Sequence, residues 1–232
     1  MSNKIRIRWL GHAGFEIVSP QGKVVFIDPW LEGPTSSAKL EDIEAADLVL
    51  VTHDHFDHAS SAGEILKRTG ALLVANVETA SRLQQEFGLK GDQVIFGGYG
   101  MNVGGWAEVK GLKILMTQAI HSTATGISCG YIVEMEDGRR IYHAGDTGLF
   151  DTMKLYGELY PLEVALLPIG GVFTMDPVQA AKAAELLQPK CVIPMHYLSF
   201  PILEQNADRF TNLMTGKGIE TTVLKPGETC EI

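Results

Sequence analysis

The sequence predicts an α/β (α+β) fold in which two mixed β-sheets pack face to face beneath covering helices. Three observations predict it. Short apolar runs of strand length recur throughout the 232 residues, and segments with helical spacing are interleaved among them. The run Ala46–Thr52 is apolar without alternation, as in a strand covered on both faces. A sheet that buries both faces must be covered by another layer on each, and two mixed sheets packed face to face and covered by helices would fit the interleaved strands and helices. With 45% hydrophobic residues the chain can bury a large core, and no linker or short repeat divides it. One domain over residues 1–232 is expected.

The elements follow in order. Ile5–Trp9, Phe15–Val18 and Val24–Asp28 predict strands, the last two separated by the turn Pro20-Gln21-Gly22. In the first, Lys4, Arg6 and Arg8 alternate with Ile5 and Ile7, which reads as a strand with one solvated face. After Ala46–Thr52 comes a helix over Ala59–Thr69, closed by Gly70. Leu72–Ala75 predicts a strand, Glu78–Phe87 a helix ending at Gly88, and Gln93–Phe96 a strand. Tyr99–Trp106 is glycine-rich and irregular. Strands are expected at Leu112–Thr117, Cys129–Glu134 and Arg140–His143, with Asp137-Gly138 as the hairpin turn. Phe150–Leu159 predicts a helix, Val164–Ile169 a buried strand, and Pro177–Leu187 a helix capped by Asp176. Cys191–His196 predicts a strand, Pro201–Thr215 a mostly helical stretch, and Glu220–Leu224 a closing strand.

The formal net charge is −9, which is poorly suited to a phosphate backbone, so nucleic acid is not expected as the main partner. The cysteines Cys129, Cys191 and Cys230 are odd in number and widely spaced, which fits a reducing compartment. Met1–Trp9 has no apolar core of a signal peptide, and no apolar run reaches membrane-spanning length. A cytoplasmic protein without membrane association is expected. Assembly into a homo-oligomer is compatible with the sequence, although no stripe proves it. Gly97-Gly98-Tyr99-Gly100 lacks the strand, turn and helix of a dinucleotide site, and no Gly-x-Ser-x-Gly elbow occurs.

The main chemical signal is Thr52-His53-Asp54-His55-Phe56-Asp57-His58. Imidazole and carboxylate are the usual ligands of divalent transition metals, and this density exceeds ordinary core or surface use. His53 and His55 alternate on an extended segment, so their rings point the same way. Asp57 and His58 fall where the chain turns into a helix. A structural zinc site would feature cysteine, and none is near. His121, Asp146 in Gly145-Asp146-Thr147, and His196 each follow a predicted strand, where loops gather and sites form. His12 sits on the turn after the first strand. It reads either as a packed histidine or as one near the metals. His143 reads either as a buried strand residue or as one that orients a ligand. Asp54 alternates away from the His53 and His55 face. It reads as a structural carboxylate or as a proton acceptor. Tyr197 reads as a substrate donor or a packing residue, and Gly170–Met175 as a connecting loop or a wall of the substrate cleft.

The pattern His-x-His-x-Asp-His at 53–58, a later histidine, a Gly-Asp-Thr and a strand-terminal histidine resembles the metallo-β-lactamase superfamily. More narrowly it resembles a bacterial and archaeal family of metal-dependent hydrolases. That likeness lies in Leu10-Gly11-His12-Ala13, Tyr142–Phe150, Leu167–Gly171 and Pro194-Met195-His196-Tyr197, and it runs from Ile5 to Gly227. L-ascorbate 6-phosphate lactonase and N-acylphosphatidylethanolamine phospholipase D are more distantly similar. The resemblance implies a four-layer αββα sandwich with a two-metal site at one edge. It implies His53, His55 and His121 on one ion, Asp57, His58 and His196 on the other, and Asp146 between them. Asp28 would support the histidine loop, and His12 would lie near the metals or substrate. Beyond ligation, Asp57, Asp54, His143 and His12 are the candidates for a catalytic part. The ions expected are two divalent metals, zinc first, with manganese or iron also fitting. The expected activity is hydrolysis of an ester, lactone or phosphoester of a small molecule by a metal-activated water. A nuclease of the same superfamily, an exported β-lactamase and a non-enzymatic metal-binding protein are the alternatives.

Overall fold

The computed structural model describes residues 3–232. A first sheet is ordered β13-β1-β2-β3-β4-β5 and a second β12-β11-β10-β9-β8-β7-β6. In the first, β1 (Arg6–Gly11), β2 (Gly14–Val18) and β3 (Val24–Ile27) form an antiparallel meander, and β4 (Leu48–Leu50) and β5 (Leu72–Val74) join in parallel. The final strand, β13 (Thr229–Glu231), returns antiparallel to β1. In the second sheet, β6 (Trp106–Val109), β7 (Leu112–Gln118), β8 (Cys129–Glu134) and β9 (Arg140–His143) are antiparallel neighbours. β10 (Val164–Pro168), β11 (Cys191–Met195) and β12 (Glu220–Thr221) continue it in parallel.

Strand alternation builds the layers. Leu48 and Leu50 enter the core between the sheets together with Val25, Ile27 and Val74. Val49, Val51, Phe26 and Leu73 point the other way, into a second core. That outer core lies under α1 (Phe56–Ala59), α2 (Ala62–Thr69) and α3 (Val77–Phe87), which supply Ala59, Ile65, Leu66, Ala80 and Leu83. Both apolar faces of β4 are thus covered, as its unalternating sequence requires. Helices α5 (Met153–Leu159), α6 (Pro177–Leu187) and α7 (Asp208–Met214) contribute Met153, Ala180, Ala184, Leu187 and Phe210 to the larger core. Gly70 and Gly88 close α2 and α3 in the left-handed conformation, and the Asp176 carboxylate caps α6 by accepting from Gln179 N at 2.8 Å. The mixed α/β fold of two sheets and flanking helices is therefore the one expected. No helix among the described residues is long and apolar enough to cross a membrane.

Four local expectations are corrected. Gln93–Phe96 is not a strand, since Val94 makes only an isolated bridge to Leu73. The chain then folds into the single turn α4 (Ile95–Gly98), with Phe96 and Gly97 at positive φ. Trp106, assigned to the irregular stretch, begins a strand. Lys110 and Gly111 both have positive φ and close the β6–β7 hairpin. Helix over Pro201–Thr215 is confined to Asp208–Met214. The preceding residues put their backbone to other uses: Leu198 N donates to the Glu204 carbonyl and Glu204 N to that of Gly170. The closing strand is β13, rather than the two-residue β12.

Candidate metal centre

The residues of the candidate site stand just beyond strand ends, on loops or, for Asp57 and His58, in the short helix α1. Asp28 follows β3, His53–His58 follow β4, His121 follows β7, Asp146 follows β9 and His196 follows β11, while His12 occupies the β1–β2 turn. His12, Asp28 and His196 have φ of 50°, 47° and 57°. Non-glycine residues in this region cost about 1–3 kcal/mol each and persist only where their surroundings fix them. Hydrogen bonds fix two of these directly. The His12 carbonyl accepts from His196 N and from Trp9 Nε1, both at 2.9 Å. Gly170 leaves room for the His196 backbone, because a Cβ there would run into the His196 carbonyl.

The hydrogen bonds assign the imidazole protons. The buried Asp28 carboxylate accepts from Thr52 N at 2.8 Å, from Thr52 Oγ1 at 2.6 Å and from His58 Nδ1 at 2.8 Å. His58 therefore carries its proton on Nδ1 and turns the Nε2 lone pair toward Asp146. Thr52 has already donated its hydroxyl proton to Asp28, so at 3.0 Å from His53 Nδ1 it accepts. The His53 Nε2 lone pair then faces His55 Nδ1, 2.9 Å away. Burial and the nearby His58 push His53 down to about 3, so this ring is neutral at neutral pH, as a metal ligand must be.

Two ligand groups result. The ligand atoms of His53, His55 and His121 lie within 4.8 Å of one another, and so do those of His12, Asp57, His58 and His196. Asp146 stands between the groups. Its Oδ2 is 2.9 Å from His196 Nε2, 3.4 Å from His58 Nε2 and 3.6 Å from His121 Nε2. Burial works to raise the Asp146 pKa, but His196 and His58 hold it well below the usual carboxylate range. Burial likewise opposes charge on His58, yet Asp146 and Asp28 raise it well above that of a free imidazole. Buried His58 Nε2, Asp146 Oδ1 and His196 Nδ1 have no hydrogen-bond partner among the described residues, an arrangement proteins rarely tolerate. The His58 Nε2 lone pair and the Asp146 carboxylate together draw positive charge into the space between them, which is why His58 takes a proton so readily there. A cation between them satisfies both, so the donor set fits divalent metal ions.

The structure brings all seven expected ligands together and adds His12 to them. His12 Nδ1 is 2.5 Å from Ser199 Oγ, and its ring lies 4.0 Å from that of His196. His12 Nε2 approaches Asp57 Oδ2 at 3.2 Å without the alignment of a hydrogen bond. Burial and His196 depress the ring to about 4. Ser199 carries no motif that sequence reasoning could have used. Trp30, in Asp28-Pro29-Trp30, was also missed. It packs 5.6 Å edge-on against Phe56 and 5.7 Å against Phe200, behind the site.

Two candidate catalytic residues are not brought to the cavity. His143 accepts from Gly145 N at 3.1 Å through Nδ1, so its Nε2 proton goes to the Ala13 carbonyl at 2.9 Å. It fixes the turn carrying Asp146 and joins it to the β1–β2 turn. Asp54 is saturated by donors: Thr125 Oγ1 at 2.5 Å, Thr123 Oγ1 at 2.7 Å, Ala124 N at 2.8 Å and Arg82 Nη1 at 2.5 Å. Burial pushes its pKa up, and these four bonds overcome that and hold it well below the usual range. Asp54 thus staples the histidine loop to the loop carrying His121, which corrects its reading as a proton acceptor. Asp54→Asn is expected to lower the melting temperature by roughly 5 °C, from hydrogen bonds worth about 1–3 kcal/mol. Metal content and turnover should stay within about threefold; loss of turnover in a folded, metal-loaded variant would return Asp54 to catalysis. Tyr197 is buried and stacks on Trp9 at 5.1 Å, which makes it a packing residue.

A model of the β-lactamase superfamily domain matches residues 6–196. A UPF0173 metal-dependent hydrolase of Nitratidesulfovibrio vulgaris is 49% identical over 226 residues, covering 96% of this chain and 93% of the relative. The chain belongs to the UPF0173 family of metal-dependent hydrolases. Another UPF0173 protein, from Methanopyrus kandleri, is 48% identical and covers 98% of this chain and 100% of its own. Among solved structures, Igni18, a metallo hydrolase from the hyperthermophilic archaeon Ignicoccus hospitalis, superposes with a TM-score of 0.90 at 39% identity. That match covers 99% of this chain and 98% of Igni18. The metallo-β-lactamase fold and the family resemblance are thereby established for this UPF0173 chain.

Proposed function

We propose that this UPF0173 protein is a cytoplasmic hydrolase that binds two divalent ions and cleaves an ester, lactone or phosphoester bond of a small molecule. The observation that carries this reading is Asp146 Oδ2, which three imidazole nitrogens approach from two ligand groups. His53, His55 and His121 would hold one ion, and Asp57, His58 and His196 the other, with Asp146 shared. Zinc suits this set, as do manganese and iron. When bound, such ions supply an acidified water and an electrophilic hold on the substrate oxygen.

The chain's own residues do the rest. Asp28 and Thr52 keep the lone pairs of His58 and His53 turned into the site. Asp57 lines the cavity and is 15% exposed, against 3% for Asp146. It is the carboxylate placed to take the proton that water gives up and to return it to the leaving alcohol. In ester hydrolysis the water oxygen forms the new bond to carbon, the ester C–O bond breaks, and acid and alcohol leave.

Chelator-stripped protein reloaded with zinc, manganese or iron tests the reading. It should take up about two ions per chain and regain turnover on lactones, phosphodiesters, thioesters or β-lactams, which names the bond. Turnover that persists without metal, or a chain that takes up none, would refute it.

A further inference from the structure

The ligand groups open into a cavity of about 710 Å³. Its walls beyond the ligands are Phe56, Phe173, Phe200, Pro201 and Ile202, with Ser122, and no lysine or arginine among the described residues lines it. Phe56, Phe173 and Ile202 are 65%, 54% and 61% exposed, large apolar side chains gathered at one mouth. Isolated exposed apolar residues are ordinary, whereas a set ringing one cavity marks a binding surface. Trp30 braces two of these side chains from behind, stacking on Phe200 and meeting Phe56 edge-on.

From this we infer the substrate class: a neutral carboxylic ester or lactone whose acyl part is an apolar alkyl or aryl group. The inference rests on the hydrolase reading above and narrows it. Beyond the ligands, whose carboxylates Asp57 and Asp146 would be taken up by the ions, a phosphorylated or otherwise anionic substituent would meet only apolar side chains and Ser122. Binding such a group would remove its hydration without a protein cation to replace it. An alkyl or aryl group instead gains by leaving water against Phe56, Phe200 and Ile202. Residues 200–202 stay out of helix α7 and form this wall, so the irregular loop after His196 is part of the specificity surface.

Binding to the zinc-loaded protein tests the class without relying on turnover. Calorimetry would compare acetohydroxamate, butyrohydroxamate and hexanohydroxamate, which share one metal-binding anchor, with phosphonoacetohydroxamate as the anionic comparator. Kd should fall about fourfold per methylene, equivalent to about 0.8 kcal/mol. The phosphonate should bind at least tenfold more weakly than hexanohydroxamate. Ile202→Ser, an exposed position, and Phe200→Ala should flatten the chain-length series at unchanged zinc content. The corresponding p-nitrophenyl esters, acetate to hexanoate, should show the same slope in kcat/KM. A flat series, or tighter binding of the phosphonate, overturns the substrate class even if the protein hydrolyses other compounds. A steep series with no ester hydrolysis leaves the ligand class standing and refutes the hydrolase reading. An oligomer that Ile202→Ser splits, with the series unchanged, would assign the apolar rim to a second copy of this chain and overturn the proposal.

Discussion

Asp146→Ala is expected to remove metal and turnover together, lowering kcat/KM by about 10³-fold or more. The reason is geometric. His58, His121 and His196 approach one oxygen of this carboxylate at 2.9 to 3.6 Å, and without it the two ligand groups share no residue. The five ligand imidazoles, His53, His55, His121, His58 and His196, would then be left with one carboxylate, Asp57, which is too little negative charge to hold two divalent ions close together. Metal analysis of the purified variant should read below one ion per chain. Asp146→Asn separates charge from shape: it keeps the side chain's size and hydrogen-bonding reach, and should still lose most metal. Full activity with two ions in either variant would sink the assignment of Asp146 as the shared ligand.

The second large effect is expected from Asp28→Asn, at a residue that faces no substrate. Its carboxylate accepts three hydrogen bonds, from Thr52 N, Thr52 Oγ1 and His58 Nδ1. An amide offers one acceptor oxygen and a donor NH₂ in their place. If the NH₂ takes the Oδ2 position, it meets His58 Nδ1 and forces the ring proton onto Nε2, the atom turned toward Asp146. If it takes the Oδ1 position, it opposes the Thr52 backbone N–H. The first arrangement removes His58 as a ligand, and the second leaves a buried donor unpaired at about 1–3 kcal/mol. Metal affinity should fall about 10–100-fold, the usual effect of losing a group that orients a ligand. A zinc-affinity titration checks it, and nitrogen-15 spectra of the histidines should report a changed His58 tautomer. Unaltered affinity with the wild-type tautomer would refute this account of Asp28.

The ligand chemistry was legible because it is dense and local. His53, His55, Asp57 and His58 lie within six residues, and the strand ahead of them is an unalternating apolar run, so their chemistry and their place at a buried strand end can be read without contacts. His121, Asp146 and His196 were legible as strand-terminal residues, and the family resemblance sorted them into groups. Helix ends with a local cause were readable too: Asp176 ahead of Pro177, and Gly70 and Gly88 after their helices. Elements that depend on distant partners were not. β13 has three residues and exists because β1 offers an open edge, while Val94, apolar and β-branched, finds only one bridge and never becomes a strand.

What the sequence determined by itself is therefore the two-sheet α/β class, the covered strand that delivers the histidine motif, and a donor set suited to divalent metals. Periodicity and ligand type are properties of neighbouring residues, and neighbours suffice to express them. The tertiary structure alone decided which groups reach the cavity. Asp54 sits between the candidate ligands His53 and His55 in sequence, yet three donors from the 123–125 loop and one from Arg82 hold it away. His143 lies three residues before Asp146, yet it bonds Gly145 and Ala13 behind the site. His12 and Ser199, 187 positions apart, meet at 2.5 Å because the β1–β2 turn and the loop after β11 are tied through the His12 carbonyl. A hydrogen bond chooses its partner by position in space, and that position is set by the packing of the two sheets.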